Sequence, residues 1–569
     1  MSVGFGVSQE AEDQFMRRQA GRTLPEPRRS QALVAGLVIG TASLVACRGN
    51  YPLPTIAERV PRLSHSQWEQ TVVDLFHLDA PTGLSATLAP DPLGGKTFDN
   101  NQSALQVRPL LWSDYQVAAE TIAEMVTGNP ELLARILPMN LPDDPVQRAE
   151  AFLGAFGLRV YRRPLRDDEV KARRALFEQG AALYPGLDPF VAGVRVSIEA
   201  FLQSPNFVYR AELSDALSSG TPIPLNDWEI AARLSYALWG SMPDAELFRA
   251  AAAGELSSIE GMDTQIGRML DTPRAYAVVK NFFEQLYQGE QYGNLSKSKA
   301  LYPDFTPAVG AEMQTELGKF TMEIYRQSRG LRELLTSTTT FVTPRIAAIY
   351  GSPAATLPPP DADGFSRIEL DPTQRAGLLT RSGFLAWKGK ESQPNTIQRG
   401  VFIVRRIICQ PLGNPPPAAT GAMFGEQPTN RERVTALTGP GTCGAGCHST
   451  VINPAGFALE HFGALGEYRT KDGDALIDSS ATYPFTEGPV AYNAAVEFSQ
   501  ALANSSQVHA CFTGYLREYL LGREPVASDQ DFLAQLGQHS LSGASVRELL
   551  ISVLESDSFR YPLIITEAP

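Results

Sequence analysis

The sequence predicts a mainly α-helical protein, built from several consecutive helical modules with a short hairpin late in the chain. Apolar residues recur at three- and four-residue spacing over most of its length, and glycine and proline punctuate the junctions. A chain of 569 residues is also too long for one core, which points to about three to five domains. Hydrophobic content of 43% and charged content of 20% are those of a globular protein. The formal net charge of −13 repels phosphate backbones and argues against a nucleic-acid partner.

Residues 1–46 read as a lipoprotein signal peptide. Arg28 and Arg29 precede the apolar stretch Ala32–Ala46, which ends in Leu44-Val45-Ala46-Cys47. A cysteine after Leu-Val-Ala matches the bacterial lipobox, so Cys47 is the expected lipidation site and the lipid the expected membrane anchor. Simple secretion and an uncleaved anchor are the other readings, though the apolar stretch is short for a bilayer. The expected location is the cell envelope, periplasmic or surface-exposed. Arg48, where some inner-membrane lipoproteins carry aspartate, favours the outer membrane.

Residues 47–58 form a tether. The first module (59–140) opens with a capping box at Ser64 and Gln67, followed by Trp68, Val72, Leu75 and Phe76 on one face and a second helix from Leu111 to Val126. The second (145–215) holds helices over Ala149–Tyr161, Asp167–Gln179 and Val191–Leu202. The third (222–352) starts with a capping box at Asn226 and Glu229 and continues through helices at 228–239, 244–254, 262–270, 274–286 and 306–329, without strand-like alternation. Trp228, Tyr236 and Trp239 recur at helical spacing and read as core rather than as a sugar-stacking platform. After the linker Leu357–Gly364, the fourth module (372–485) resumes helix at 375–387, 398–409 and 431–438. Tyr468-Arg-Thr and Ala475-Leu-Ile then flank a hairpin turn. Asp361-Ala-Asp-Gly364 lacks the remaining ligands of a calcium loop and reads as a polar turn. The last module (490–565) reads as three or four helices.

Chemistry concentrates at Cys443-Gly-Ala-Gly-Cys447-His448. Two cysteines before a histidine are the pattern of covalent haem c attachment, in which thioethers hold the porphyrin and the imidazole binds iron. The usual spacing has two intervening residues, and here there are three. Cysteines at i and i+4 still share a helix face, but Gly441, Gly444 and Gly446 favour a flexible turn over helix. Two other chemistries use the same residues: a local Cys443–Cys447 disulfide, or a zinc site with a fourth ligand from elsewhere. The second axial position on haem iron would be open or taken by His461, His509 or His539, in preference to Met423. If haem takes Cys443 and Cys447, Cys409 and Cys511 remain for one disulfide in an oxidising compartment. Neither GxSxG nor HExxH occurs, so no hydrolase motif accompanies this site.

Five stretches resemble a multi-module secreted bacterial family composed of domains of unknown function 1587, 1595, 1592, 1588 and 1585, in that order. They are Arg62–Phe76, Arg162–Glu169, Glu229–Asp244, Arg399-Gly400 together with Cys443–Arg469, and Cys511–Arg523. The resemblance implies a cytochrome c-like site at Cys443, Cys447 and His448. Two functions are therefore expected. One is an electron-transfer or oxidoreductase component of the envelope with an unidentified redox partner. The other is a non-redox binding or scaffold protein stapled by disulfides.

Overall fold

The computed structural model describes residues 60–92, 94–210, 212, 224–413, 425–442 and 444–561. The signal peptide, Cys47, Met423 and Cys443 lie outside them. Helix makes up 59% of the structure, against short two-stranded antiparallel ladders, so the fold is mainly α.

Local signals account for most helix starts. Ser64 Oγ accepts from the Gln67 amide (3.3 Å), and Gln67 Oε1 accepts from the Ser64 amide (3.1 Å), opening His65–Phe76. Asn226 and Glu229 make the same reciprocal pair at 3.0 and 3.1 Å, opening Asp227–Trp239. Proline occupies the first turn of Pro109–Thr127, Pro145–Tyr161, Pro189–Leu202, Pro273–Leu286 and Pro307–Arg326, where its missing N–H costs nothing.

Three expectations need correction. Residues 375–387 do not form one helix: a 3₁₀ turn, Leu378–Thr380, is followed by extended Arg381 and then Ser382–Trp387. Helical continuation is given up because Arg381 donates to the carbonyls of Ser337 (2.9 Å) and Thr339 (2.6 Å). The third module does contain a strand, Thr339–Val342, paired antiparallel with Ser366–Glu369. At four residues its alternation is too brief to read from sequence. The late hairpin pairs Lys471–Asp472 with Ala475–Leu476, so its first strand falls in the stretch expected as the turn rather than at 468–470, and a second hairpin follows, Ala481–Phe485 with Gly488–Tyr492. The polar turn at 361–364 is present, with Lys319 Nζ on Asp361 (2.8 Å) and Asp363 (2.6 Å).

The described helices pack around two apolar cores. One joins the helices of residues 65–208, with Trp68, Phe152, Phe156 and Phe201 at its centre. The other runs from Leu225 to Phe559 and unites the third, fourth and fifth modules. Tyr236 and Trp239 are buried, in keeping with a core role, while Trp228 is only half-buried. A loop of the first module reaches the larger core: Phe98 stacks on Phe282 (5.7 Å), and Asn100 Nδ2 donates to the Tyr519 carbonyl (2.7 Å).

Cys409 and Cys511 form a disulfide with a Cα–Cα distance of 5.4 Å across 102 residues of sequence. It fastens the chain just beyond the helical segment 396–407 of the fourth module to Ser506–Leu521 of the fifth. Replacing both cysteines by alanine is expected to cost about 4 kcal/mol, the entropy of a loop this long. The check is the denaturant midpoint of the double variant against the oxidised parent; equal midpoints would show that the bridge adds no stability.

Candidate functional site

The site is built on two crossing helices. The first is Thr396–Phe402, continued as a wider i→i+5 turn over Ile403–Ile407. The second runs Ala445–Cys447, then a wide turn His448–Ile452, then Asn453–Phe457. They meet at glycines. A Cβ on Gly400 would lie 2.1 Å from the Ile452 carbonyl oxygen, and one on Gly456 would lie 2.2 Å from that of Thr396.

The expected turn is present at Gly441, whose φ is +89°, but Gly444 and Gly446 do not break the helix around Cys447. Gly444 has helical dihedrals, and its bare Cα faces the imidazole: a Cβ there would sit 3.1 Å from His448 Cδ2. Cys447 is exposed and its thiol is unbonded, and His448 beside it is half-buried. Cys443 is not among the described residues.

The wide turn brings residue i+5 beneath residue i, so Asn453 lies under His448. The Asn453 amide donates to the His448 carbonyl, and His448 Nδ1 lies 3.4 Å from Asn453 Oδ1. The roles in this pair follow from the next partner. Thr438 Oγ1 spends its proton on the Val434 carbonyl (2.7 Å), so it can only accept from Asn453 Nδ2 (2.9 Å). The amide oxygen therefore faces the ring. His448 carries its proton on Nδ1 and leaves the Nε2 lone pair free. Burial lowers the His448 pKa against a smaller opposing pull from Asn453, so the ring is neutral at pH 7.

A buried polar network fixes the helix Asn430–Thr438 that supplies Thr438. Asn430 Nδ2 donates to both oxygens of Glu460 (3.0 Å each) and to Thr396 Oγ1 (2.8 Å), and Thr396 also bonds Glu460. The irregular segment Leu459–Gly466 that follows the second helix is largely buried, and cations satisfy its carbonyls. Arg399 donates to Leu459 (3.1 Å), Phe462 (2.7 Å), Gly463 (2.6 Å) and Leu385 (3.0 Å). Lys297 reaches Ala464 (2.7 Å), Ala386 (2.8 Å) and Lys390 (2.9 Å), and Arg375 reaches Gly466 (2.7 Å). Burial pulls Arg399 down to about 10 and Lys297 to about 8, so both remain cationic at pH 7.

The histidines expected as a second axial ligand are placed differently. His509 is fully buried with both ring nitrogens engaged, by Ser540 Oγ (2.7 Å) and the Ala503 carbonyl (3.1 Å). His461 stacks on Tyr468 (5.3 Å) with Nδ1 2.9 Å from the Arg469 carbonyl, and His539 is exposed. Among the described residues no group of three His, Cys, Asp or Glu side chains is placed to hold a metal ion. Asn453 and Thr438 carry no signal in the sequence beyond proximity to the motif. Arg399 and Gly400 do, as part of the family resemblance.

Fold and site together define a mainly α-helical, disulfide-bonded protein whose fourth segment carries a thiol–imidazole helix followed by an irregular stretch that buried cations hold. Five family models match it, each described as a protein of unknown function: DUF1587 over 61–128, DUF1595 over 148–212, DUF1592 over 225–352, DUF1588 over 375–472 and DUF1585 over 490–559. The chain belongs to the multi-module family in which these domains follow one another. No curated protein and no solved structure matches it. Among the described residues no helix is long and apolar enough to cross a membrane.

Proposed function

We propose that this protein is an exported lipoprotein, anchored through Cys47, that carries a covalent c-type haem on Cys443, Cys447 and His448 and serves electron transfer or an oxidoreductase in the cell envelope. The observation that carries this reading is the pairing, on consecutive helix residues, of a free exposed thiol with an oriented neutral imidazole. The residues described fit the group: Cys447 offers a thiol for a thioether, and His448 offers Nε2 in the protonation state that iron ligation needs. A haem bound there would supply a one-electron iron couple. The chain's part is to hold the imidazole. Asn453 keeps the proton on Nδ1 and sets the ring plane, and accepting that hydrogen bond raises the basicity of Nε2. Val451 and Ile452 of the same wide turn are buried, which makes the local environment less polar. The Cys409–Cys511 disulfide suits an oxidising compartment, where haem attachment also takes place.

The test is production in a host with haem-attachment machinery, followed by denaturation. Visible absorption retained on the chain and a mass higher by one haem are expected, with His448→Ala changing the spectrum. A chain of unmodified mass without visible absorption would overturn the proposal.

A further inference from the structure

A cavity of about 310 Å³ lies where the second and third segments meet, on residues remote in sequence from the Cys–His helix. Two stretches singled out in the sequence converge on it: Arg162-Arg163-Pro164-Leu165-Arg166, and the start of the helix Asp227–Trp239 with Trp228 and Arg233. Five arginines line the cavity, and their commitments differ.

Arg163 forks onto Glu169 at 2.8 and 2.9 Å, and Arg233 forks onto Glu212. Arg166 is exposed and pairs with Asp168 and Glu169. Arg162 spends its donors on neutral groups, the carbonyls of Asn206 (2.7 Å), Phe207 (2.8 Å) and Tyr209 (2.8 Å) and the Tyr236 hydroxyl (3.0 Å). Arg210 is different. Its guanidinium lies over the Tyr236 ring (5.0 Å) and its Nε is sealed from solvent without an acceptor. Among the described residues no side-chain hydrogen bond or ion pair engages it. Burial draws its pKa down to about 10 against the pull of Glu212, with Arg233 and Arg162 adding to the fall.

Among the described residues, Arg162 and Arg210 thus form no direct ion pair in this recess, although the Glu212 carboxylate on its wall, itself forked by Arg233, still acts on Arg210 through space. A partly buried cation that no ion pair holds directly costs stability and persists where something else gains from it. We infer that this cavity binds a small organic oxyanion, its carboxylate, sulfate or phosphate group held by Arg210 and its body against Trp228 and Tyr209. A planar fork suits such oxygens, and the volume is at the lower end for small-molecule sites.

The test uses the full mature chain at low ionic strength, where screening is weak. Calorimetric titration and melting curves are recorded with glucuronate, inorganic phosphate, inorganic sulfate and, as a neutral comparator, glucose. At least one anion is expected to bind saturably at one site and raise Tm, whereas glucose does neither; the tightest binder identifies the head group. Arg210→Met is expected to melt higher than the parent without anion, because it removes an unpaired buried charge. It is also expected to bind at least about tenfold more weakly, the value of one charge-assisted contact. Arg405→Met, at an exposed arginine, serves as the control and leaves binding unchanged. Three results overturn the inference: no anion binds saturably, Arg210→Met binds as tightly as the parent, or Arg210→Met melts lower or fails to fold. The last would make Arg210 a structural cation. None of these readouts involves haem.

Discussion

Arg399→Met is expected to destabilise the chain by about 4 kcal/mol, enough to unfold the fourth segment in many backgrounds. The arginine is 1% exposed and holds four main-chain carbonyls, three of them from the irregular stretch Leu459–Gly463. Leu459 and Gly463 would keep one turn hydrogen bond each, from the amides of Phe462 and Gly466, but the Phe462 carbonyl would lose its guanidinium donor in an apolar interior. Glu460, buried nearby, would also lose a cation whose charge acts on it. Arg399→Lys should recover only part of the loss, because one ammonium cannot span acceptors on both sides of a planar fork. Denaturant unfolding gives the magnitude, and hydrogen exchange over residues 445–466 gives the location. A midpoint within error of the parent would show that the clamp is not what orders this stretch.

Gly400→Ala is expected to cost about 3 kcal/mol, near the upper end for overpacking. The added Cβ would meet the Ile452 carbonyl at 2.1 Å, and a backbone atom cannot swing aside as a side chain can. The two helices must separate. That movement would also shift the wide turn on which His448 and Asn453 sit, so spectra of a haem-loaded variant should broaden or move. Gly456→Ala meets Thr396 in the same way at 2.2 Å, so it should cost a similar amount. The double variant should cost clearly less than the two singles combined, since one separation relieves both clashes. Additive penalties, or a single variant as stable as the parent, would contradict this packing.

Much of the helical framework is legible in the order of residues. Capping boxes at Ser64 and Asn226 and proline-started helices are local devices, complete within three or four residues, and each forms where the sequence places it. The disulfide is legible by a different route, as the pair that remains once Cys443 and Cys447 are assigned to the motif. Local reading fails where a distant partner governs the backbone. Arg381 is extended because the carbonyls of Ser337 and Thr339 recruit it, and Thr339–Val342 is a strand because Ser366–Glu369 lies beside it.

The candidate site divides in the same way. That thiol and imidazole chemistry meet at Cys447 and His448 follows from the residue order, because adjacent residues cannot be far apart. The family and the mainly α character follow from it as well. Three-dimensional packing was needed to show that helix begins within the glycine-rich stretch, at Ala445, that a wide turn sets Asn453 beneath His448, and that Arg399 and Lys297 hold the segment behind it. It was needed again to bring Arg210, 47 residues beyond Arg163 in the chain, into the same cavity. The physical reason is one of range. Capping and periodicity act within a turn or two of helix, whereas unpaired carbonyls, buried charges and glycine contacts take their partners from wherever packing brings them.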